Sequence, residues 1–587
     1  MPHEPTTNLA AAGRVVDALA RAGVRHACVC PGSRSAPLAV AVARHPGLRE
    51  WMLTDERSAG FFALGMAREL AEPVLLLSTS GTAAANFLPA VVEANLSAVP
   101  LVVVTADRPP ELRDIGAAQT IDQVGLFGAN VRWSTDLAPP AADVDLGRHL
   151  ERVACRAVAL ATTATCGPVH VNVPYRDPLV PAGTVPDVER AEAGASAPLR
   201  HVAGATSLDP AQTRELAAIL AAHERGLIVC GPRAGIDGVD DLAALAERLR
   251  WPVLADPLSN ARFLLDAAVQ ADAYDLMLRD EAARTALAPD AILHFGGLPV
   301  SKALQTVVAS TPPAVHVVVS TPGTWPDPLH TATCMVHVPA DAVTAALAAA
   351  VAPRAATPWW ERWRQASARV RGAVAAKLAA DAQLFEGKVV SEVRAALPDG
   401  ATLHVGNSMP VRDLDTFAGA DGPALRVACN RGANGIDGVV STALGAAAVS
   451  TAPVALVVGD LSFLHDAGAM QIAAQHRIDA LVVVVDNDGG GVFSFLPQAG
   501  YGEVFERSFA TPHGLDLQKV AAACGADVHH VTDWESFGRA VRDGIARSGL
   551  GVVHVRSDRA DNERWHRDYA AAAASAVAEL EPRRASA

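Results

Sequence analysis

Several motifs that would signal other kinds of protein are missing from this sequence of 587 residues. It contains neither G-x-G-x-x-G nor G-x-x-x-x-G-K-[ST], which argues against an ordinary dinucleotide-binding fold and against a P-loop. None of its eight cysteines forms a Cys-x-x-Cys pair, and Cys28 and Cys30 alternate along an apolar run rather than being spaced as metal ligands. We therefore interpret the cysteines as reduced, buried thiols of a cytoplasmic protein.

Positive charge is in deficit, and long uninterrupted apolar runs are absent. The chain has 49 Lys and Arg against 63 Asp and Glu, a formal net charge of −14, which argues against nucleic acid or an anionic membrane as the main partner. The most apolar long stretch, 441–459, is interrupted by Ser450, Thr451 and Pro453, which indicates helix, turn and strand rather than a membrane span. The N-terminal residues lack the basic and apolar regions of a signal peptide, so we expect a cytoplasmic protein without membrane insertion.

Short apolar runs alternate with helical patterns along the whole chain, half of whose residues are hydrophobic. The runs are β-branched or leucine-rich, too short for helices and bounded by Pro, Gly or Asp, which favours buried strands. The predicted strands are 26–30, 51–55, 73–78, 100–106 and 168–173, then 225–231, 251–256, 291–297 and 314–320, then 401–408, 425–430, 453–460, 480–487 and 551–557. Continuous apolar strands alternating with helices predict parallel sheets covered on both faces.

Composition divides the chain into three parts. Residues 182–205, rich in Ala, Gly and Pro, predict a linker, and the Trp-rich stretch 358–380 predicts a connecting helix. We predict an α/β fold of three successive domains with parallel sheets, over 1–184, 206–353 and 381–587. Because ligands of such folds bind at the carboxyl ends of the strands, the residues that follow each strand are the candidates for function.

The most specific motif is a pair of oxygen-bearing turns after two strongly apolar strands. Gly459-Asp460 follows one strand, and Asn487 stands 27 positions after Asp460, inside the turn 486–489. A carboxylate, an amide oxygen and the backbone carbonyl of Gly489 would form an oxygen site for Mg²⁺, which prefers few protein oxygens together with phosphate and water. Each piece alone also fits a helix-capping Asp or an ordinary Asn-Asp-Gly turn.

The pair of turns resembles the signature of the thiamine diphosphate enzymes. That resemblance implies a pyrimidine-binding, a middle and a diphosphate-binding domain, with thiamine diphosphate as cofactor. It implies that Asp460, Asn487 and the carbonyl of Gly489 bind Mg²⁺ or Mn²⁺, which bridges to the cofactor's diphosphate. Many members have glycine at the third position of the Gly-Asp motif, where this chain has Leu461.

The same family uses a glutamate from its N-terminal domain as the catalytic residue. In this sequence Glu56 ends a predicted strand and begins a helix. The resemblance implies a buried Glu56 that hydrogen-bonds N1′ of the aminopyrimidine and so promotes removal of the proton from C2 of the thiazolium. From the local sequence alone, Glu56 also fits a first-turn residue that complements the helix dipole.

A larger ordered set of motifs resembles one branch of this family, the transferases of menaquinone biosynthesis that condense 2-oxoglutarate with isochorismate and release CO₂. The set extends from residue 24 to about residue 500 and is strongest in the first and third predicted domains. Its members are Pro31–Ser35, Thr54–Arg57, Thr79–Ala83, Thr105–Leu112, Val405–Ser408 with Arg412, Asn430–Gly438 and Gly459–Ser462. Leucine at position 461 is expected in this branch.

The resemblance to this branch implies roles for further residues. For the carboxylate of 2-oxoglutarate they are Ser408, Arg412 and Arg431; for isochorismate, Ser33, Arg34, Arg108, Gln119 and Lys302. For the cofactor they are Glu56, Ser80, Gly81, Ser408, Ile436, Gly459, Asp460, Leu461, Ser462, Asn487, Val492 and Phe493. The chemistry agrees, because each substrate carries two carboxylates and arginine pairs with carboxylate through two parallel hydrogen bonds.

Three other functions remain open at this point. The nearest is another thiamine diphosphate-dependent carboligase or decarboxylase, such as one resembling acetohydroxyacid synthase, which would take smaller substrates. A non-catalytic nucleotide-binding protein would leave Glu56, Asp460 and Asn487 without a purpose, and a metal-dependent hydrolase would leave the arginines unexplained. In the resembled family the glutamate and the diphosphate site come from different subunits, so a homodimer or homotetramer is implied.

Overall fold

The computed structural model describes residues 4–141, 144, 146–163, 165–183, 199–321 and 323–578. Most of the predicted linker at 182–205 lies outside the described residues. The described chain contains three all-parallel sheets, which confirms the predicted fold class. No helix among the described residues is long and apolar enough to cross a membrane.

The first sheet has six strands in the order β2-β1-β3-β4-β6-β5. The strands are β1 (His26–Val29), β2 (Arg49–Met52), β3 (Val74–Ser78), β4 (Leu101–Asp107), β5 (Ser134–Asp136) and β6 (Val169–Pro174). The helices are α1 (Pro5–Arg21), α2 (Ala36–Ala43), α3 (Glu56–Leu70), α4 (Thr82–Asn86), α5 (Leu88–Leu96) and α6 (Gly147–Thr162). Strand β5 is not among the predicted strands, because its three polar residues carry no apolar signal.

The second sheet has five strands in the order β11-β10-β9-β7-β8. The strands are β7 (Gly226–Cys230), β8 (Val253–Ala255), β9 (Ala291–Phe295), β10 (Val315–Val319) and β11 (Cys334–Val336). The helices are α7 (Pro210–Ala221), α8 (Val239–Leu249), α9 (Tyr274–Met277), α10 (Glu281–Ala286), α11 (Lys302–Ser310), α12 (Ala340–Ala350) and α13 (Pro358–Ala380). Helix α13 is the predicted connecting helix, and its face with Trp359 and Trp363 is buried.

The third sheet has six strands in the order β13-β12-β14-β15-β17-β16. The strands are β12 (Thr402–Val405), β13 (Arg426–Ala428), β14 (Val454–Gly459), β15 (Ala480–Asp486), β16 (Asp527–Val531) and β17 (Leu550–Arg556). The helices are α14 (Glu386–Ala396), α15 (Met409–Phe417), α16 (Val439–Ala447), α17 (Asp460–His465), α18 (Met470–His476), α19 (Glu503–Phe505), α20 (Leu517–Ala523), α21 (Trp534–Ala546) and α22 (Arg559–Val577).

Contacts divide the chain into two compact units. The first comprises the described residues up to Gly204 together with Asn430–Thr451 and His465–Asp479; the second comprises Ala205–Cys429, Ala452–Leu464 and the described residues from Ala480 onward. Within the first unit α3 packs directly on α16, because a Cβ at Gly65 would lie 1.9 Å from the carbonyl oxygen of Thr442. The bounds of three folding domains stay a prediction.

A buried arginine holds the C-terminal end of α15 within the second unit. Arg262 is fully buried, and its guanidinium donates to Asp415 Oδ1 at 2.6 Å and to the carbonyl oxygens of Asp415 and Ala418 at 2.8 and 3.0 Å. Tyr274 donates to the same carboxylate oxygen at 2.7 Å. The guanidinium of Arg262 therefore binds both a side-chain carboxylate and two backbone carbonyls at this helix end.

Replacing Arg262 with methionine is expected to lower the free energy of unfolding by about 3–5 kcal/mol, because the Asp415 carboxylate would stay buried without its cation. Urea denaturation followed by circular dichroism measures the loss. Arg539→Met is the matched control, since Arg539 is exposed and paired with Glu535 on the same helix, where such pairs contribute about 0–1 kcal/mol. Equal losses in the two variants would contradict the role of Arg262.

A buried aspartate in the first unit gives stability a distinct pH dependence. Asp466 is fully buried and accepts hydrogen bonds from the backbone N and the hydroxyl of Ser441 at 2.6 and 2.9 Å. Burial raises the pKa of Asp466 to about 6. Between about pH 4 and pH 6 the folded chain therefore holds a proton that the unfolded chain releases, and stability falls as pH rises through this range.

Asp466→Asn is expected to remove this part of the pH dependence. The wild-type free energy of unfolding should fall by on the order of 3 kcal/mol more than that of the variant between about pH 4 and pH 6. Urea unfolding of both proteins at several pH values gives the difference directly, and other titrating groups cancel in it. Parallel curves for the two proteins would show that Asp466 does not titrate in this range.

Candidate active site

The carboxyl-end edge of the first sheet collects most of the residues predicted for that part of the chain. Strands β2, β1, β3 and β4 are neighbours in this order and all parallel, so the loops that follow them lie along one edge. The loops carry Ser33 and Arg34 after β1, Ser80 and Gly81 after β3, and Arg108 after β4, while Glu56 begins the helix that follows β2.

Four of the predicted residues are in direct contact. Arg108 donates to the Ser80 hydroxyl and, at 2.9 Å, to the backbone carbonyl of Gln119. The Gln119 side-chain amide donates to the Ser80 carbonyl at 3.0 Å. Gly81 has a φ of +87°, and a Cβ there would lie 3.0 Å from the Gln119 side chain. Glycine at position 81 thus allows the segment that carries Gln119 to pack against the end of β3.

Two arginines at this edge are held close enough to repel each other. Arg34 is 8% exposed, donates to the Tyr175 carbonyl at 2.9 Å and pairs with Asp177 at 3.1 Å. Burial and the charge of Arg34 lower the pKa of Arg108. An anion bound between them would relieve this repulsion. Ser33, on the same turn as Arg34, is exposed.

A buried polar network supports this edge, and sequence reasoning missed it. Gln123 accepts a hydrogen bond from the Gly81 backbone N at 3.1 Å and donates to Asn172 at 2.8 Å. Asn172 donates in turn to Asp107 at 2.9 Å, and Asp107 pairs with Arg113 at 2.9 Å. Asp107 lies within a motif recognised in the sequence, but nothing in the sequence marks Gln123 or Asn172 as its partners.

Glu56 is the first residue of α3. Asp55 caps the helix by accepting a hydrogen bond from the Ser58 backbone N at 3.0 Å, which fixes where the helix begins. The Glu56 side chain is half-buried in the single chain, not fully buried as expected. Its neighbour Arg57 donates to the carbonyl of His465 at 2.9 Å, within the same unit.

The residues predicted for the 2-oxoglutarate carboxylate stand on two well-fixed segments. In the second unit Ser408 has a φ of +71° immediately before α15, and Arg412 on that helix donates to the Ser408 carbonyl. In the first unit Arg431 begins a loop whose next two backbone N–H groups donate to the buried carboxylate of Glu93, at 3.0 and 2.7 Å. Ile436, further along that loop, is 39% exposed.

Lys302 has a local structure of its own in the second unit. It is the first residue of α11, after the capping side chain of Ser301, and it is exposed. Its ammonium group donates to Gln305 of the same helix at 3.1 Å. Its assignment to isochorismate stays a prediction.

In the second unit the two oxygen-bearing turns meet, because β14 and β15 are neighbours in the third sheet. Asp460 begins α17 and is 2% exposed; it accepts from the backbone N of Leu461 at 2.6 Å and from that of Gly489 at 2.8 Å. Burial raises the pKa of Asp460. Gly459 and Leu461 flank it, and Ser462 is buried one position further on.

The amide of Asn487 and the carbonyl of Gly489 complete the predicted metal-ligand set. Asn487 Oδ1 is shielded from solvent and has no hydrogen-bond partner among the residues that the structure describes. The Gly489 carbonyl accepts from the Gly491 backbone N at 2.9 Å, which leaves it a second lone pair. Gly489 has a φ of +139°, and a Cβ there would lie 2.2 Å from the Ala510 carbonyl oxygen, so the turn requires glycine. Three hard oxygens, one of them unsatisfied, fit Mg²⁺ or Mn²⁺.

Two further potential ligands lie beside Asp460. His513 Nε2 is 3.4 Å from Asp460 Oδ2 and 3.7 Å from Asp486 Oδ1, and the three side chains together could hold a metal ion. Burial opposes ionisation of Asp486, but hydrogen bonds from His554 and Arg556 outweigh it and lower its pKa to about 2. Asp486 lies in the recognised turn 486–489, whereas nothing in the sequence links His513 to that turn.

The residues predicted to contact the thiazolium ring follow the same turn. Val492 and Phe493 lie in a short 3₁₀ turn over Gly491–Phe495, and both are half-buried. The ring of Phe493 packs edge-on against that of Phe509, with centroids 5.9 Å apart. This segment therefore presents apolar side chains beside the oxygen-bearing turn.

Three segments of the chain match domains of one known enzyme family. Residues 10–126 match the N-terminal thiamine pyrophosphate (TPP)-binding domain of the thiamine pyrophosphate enzymes, and residues 427–555 match the C-terminal TPP-binding domain of the same enzymes. Residues 199–405 match the middle domain of thiamine pyrophosphate enzymes. Fold, motifs and these three matches define a thiamine pyrophosphate enzyme.

Curated relatives narrow the class. The chain is 46% identical over 561 residues to the 2-succinyl-5-enolpyruvyl-6-hydroxy-3-cyclohexene-1-carboxylate (SEPHCHC) synthase of Chloroflexus aurantiacus, covering 94% of each chain. It is 44% identical to the synthase of that name from Myxococcus xanthus, covering 99% of each chain. The chain therefore belongs to the SEPHCHC synthase family.

A solved structure supports the fold independently. The thiamine diphosphate-dependent 4-hydroxybenzoylformate decarboxylase of Rhodococcus jostii matches 93% of this chain and 99% of its own, with a TM-score of 0.70 and 20% sequence identity. At that identity the match shows the shared fold.

Proposed function

We propose that the chain decarboxylates 2-oxoglutarate and adds the remaining succinyl unit to isochorismate, giving SEPHCHC and CO₂ in menaquinone biosynthesis. The observation that carries the proposal is the near-full-length similarity to synthases named for this product. Arg34 and Arg108, which both follow strands at the same edge of the first sheet, support it, since each substrate carries two carboxylates.

Thiamine diphosphate, when bound, supplies the nucleophilic carbon and the electron sink that decarboxylation of a 2-oxo acid requires. In the proposal, Asp460, Asn487 and the Gly489 carbonyl hold the Mg²⁺ or Mn²⁺ that anchors its diphosphate. Glu56 holds the proton exchanged at N1′ of the pyrimidine. The remaining cofactor contacts are those predicted from the sequence: Ser80, Gly81, Ser408, Ile436, Gly459, Leu461, Ser462, Val492 and Phe493.

The substrate contacts follow the chemistry of the arginines. Arg412 and Arg431, with Ser408, hold the distal carboxylate of 2-oxoglutarate and so orient its keto carbon. Arg34 and Arg108 hold the carboxylates of isochorismate, with further contacts from Ser33, Gln119 and Lys302. The half-buried apolar side chains of Val492 and Phe493 keep water away from the reacting carbon.

We further propose that two copies of the chain complete each site and that the enzyme is cytoplasmic. The half-buried Glu56 and the exposed Ile436 are both assigned to the cofactor, and self-association would cover them. Light scattering with thiamine diphosphate and Mg²⁺ tests this, and a monomer under those conditions would contradict it. None of the eight cysteines forms a disulfide in the described chain, which fits a reducing compartment.

The function is tested by CO₂ release from 2-oxoglutarate with thiamine diphosphate and Mg²⁺, with and without isochorismate. Rapid release that requires isochorismate, with a product of the expected mass, is the expected result. Release that ignores isochorismate would indicate a different acceptor or a plain decarboxylase. No release from 2-oxoglutarate or pyruvate would overturn the enzymatic proposal.

A further inference from the structure

The side chain of Asn487 is held in one orientation by a residue outside the cofactor motifs. Its amide nitrogen donates to Glu386 Oε1 at 2.9 Å, while its Oδ1 is shielded and has no hydrogen-bond partner within the described part of the chain. Glu386 is 3% exposed and stands at the first position of α14, 101 residues before Asn487 in the chain. Nothing in the local sequence around Glu386 points to the cofactor.

Glu386 joins the ends of two neighbouring strands. The same Oε1 that accepts from Asn487 also accepts from the Ser557 hydroxyl at 2.8 Å. Asn487 follows β15 and Ser557 follows β17, strands that pair with Asp486 opposite Arg556. The Ser557 backbone N donates to the Asp486 carbonyl at 2.9 Å, which ties the ends of the two strands together. The carboxyl group of Glu386 is therefore fixed relative to both strands.

An asparagine amide has two chemically different ends of nearly equal shape. The oxygen can bind a divalent cation, whereas the NH₂ group is a pure donor that a cation repels. Glu386 Oε1 accepts hydrogen bonds from both Asn487 and Ser557, so it selects the orientation in which the NH₂ group of Asn487 faces it. Oδ1 of Asn487 is then directed away from Glu386 and stays available.

We propose that Glu386 is a positioning residue for the metal site, which orients the Asn487 amide so that Oδ1 faces the Mg²⁺ of the cofactor. The proposal rests on the proposed function in that Asn487 is taken as a metal ligand. Loss of a group that hydrogen-bonds to a metal-ligating side chain and orients it typically costs about 10–100-fold in metal affinity. The glycine at 491 agrees with this arrangement, because a Cβ there would lie 2.6 Å from Asn487 Nδ2.

The test is Mn²⁺ binding in the presence of thiamine diphosphate, measured by electron paramagnetic resonance of free Mn²⁺ without any turnover. Glu386→Ala is expected to weaken Mn²⁺ binding by about 10–100-fold. Glu386→Gln keeps an oxygen that can accept from Asn487 and is expected to restore binding to within about threefold of wild type. Glu392→Ala, an exposed glutamate on the same helix, is the matched control and should bind as wild type does.

These variants distinguish a positioning role of Glu386 from a purely structural one. Binding by Glu386→Ala equal to wild type would overturn the positioning role, and so would a Gln variant as weak as the Ala variant. If Glu386→Ala does not fold, Glu386→Met fills the same volume without an acceptor and is expected to show the same weakened binding. Wild-type protein that binds no Mn²⁺ with thiamine diphosphate would contradict the cofactor site itself, which distinguishes failure of the proposed function from failure of this inference.

Discussion

Replacing Glu56 with glutamine is expected to abolish turnover while leaving cofactor binding nearly unchanged. Glutamine has almost the same shape and keeps the first position of α3, where Asp55 continues to cap the helix. It cannot give or take the proton at N1′, and positioned acid–base groups of this kind contribute typically 10²–10⁴-fold to rate. The CO₂ assay with 2-oxoglutarate and isochorismate measures the loss, and calorimetry with thiamine diphosphate and Mg²⁺ measures the binding.

The control for this experiment is Glu72→Gln, which makes the same substitution at an exposed position just beyond the end of α3. We expect wild-type activity from it. Turnover near the wild-type rate in Glu56→Gln would remove the proposed catalytic role. Loss of cofactor binding as well as turnover would instead assign Glu56 to the binding of thiamine diphosphate.

Much of the fold follows from hydrophobic pattern alone. All fourteen predicted runs contain an observed strand or overlap one, since buried parallel strands are apolar along their whole length. The missed strands have physical reasons: β5 is polar, β11 has three residues, and β16 carries two histidines in a half-buried setting. All three strands lie at the edge of a sheet, where a strand is less completely buried and does not need to be apolar along its whole length.

The candidate site could be predicted only as far as motifs reach along the chain. Asp460 and Gly489 lie in recognisable turns, and the structure joins them by a hydrogen bond of 2.8 Å. Glu386, His513 and Gln123 came from the structure, because their partners lie 101, 53 and 42 residues away in sequence. Such pairs depend on which strands become neighbours, and local composition does not encode that.

Replacing Asp460 with alanine is expected to weaken the binding of thiamine diphosphate with Mg²⁺ by more than about 100-fold. This loss is larger than the roughly 10–100-fold typical for a residue that only orients a metal ligand, because Asp460 is itself a predicted ligand. The change removes the one carboxylate in the predicted ligand set, which also fixes the Gly489 turn by accepting its backbone N–H. Calorimetry in Mg²⁺ gives the affinity. The exposed Asp568→Ala is the control and should bind normally.

Thermal unfolding separates a lost ligand from a damaged fold in this variant. In the metal-free protein Asp460 is a buried carboxylate close to Asp486, and burial and this neighbour both raise its pKa. Removing the Asp460 side chain removes the free-energy cost of burying this charge next to Asp486. That gain offsets the loss of its two hydrogen bonds from backbone N–H groups. We therefore expect the metal-free variant to unfold at a midpoint temperature close to that of metal-free wild type. A ligand at 100 times its Kd stabilises a folded protein by about 2.7 kcal/mol. Thiamine diphosphate and Mg²⁺ should therefore raise the midpoint temperature of wild type by several degrees. They should raise that of Asp460→Ala hardly at all. An equal gain in both proteins would show that the metal is bound without Asp460, and the cluster of Asp486 and His513 would then be the place to look for its ligands.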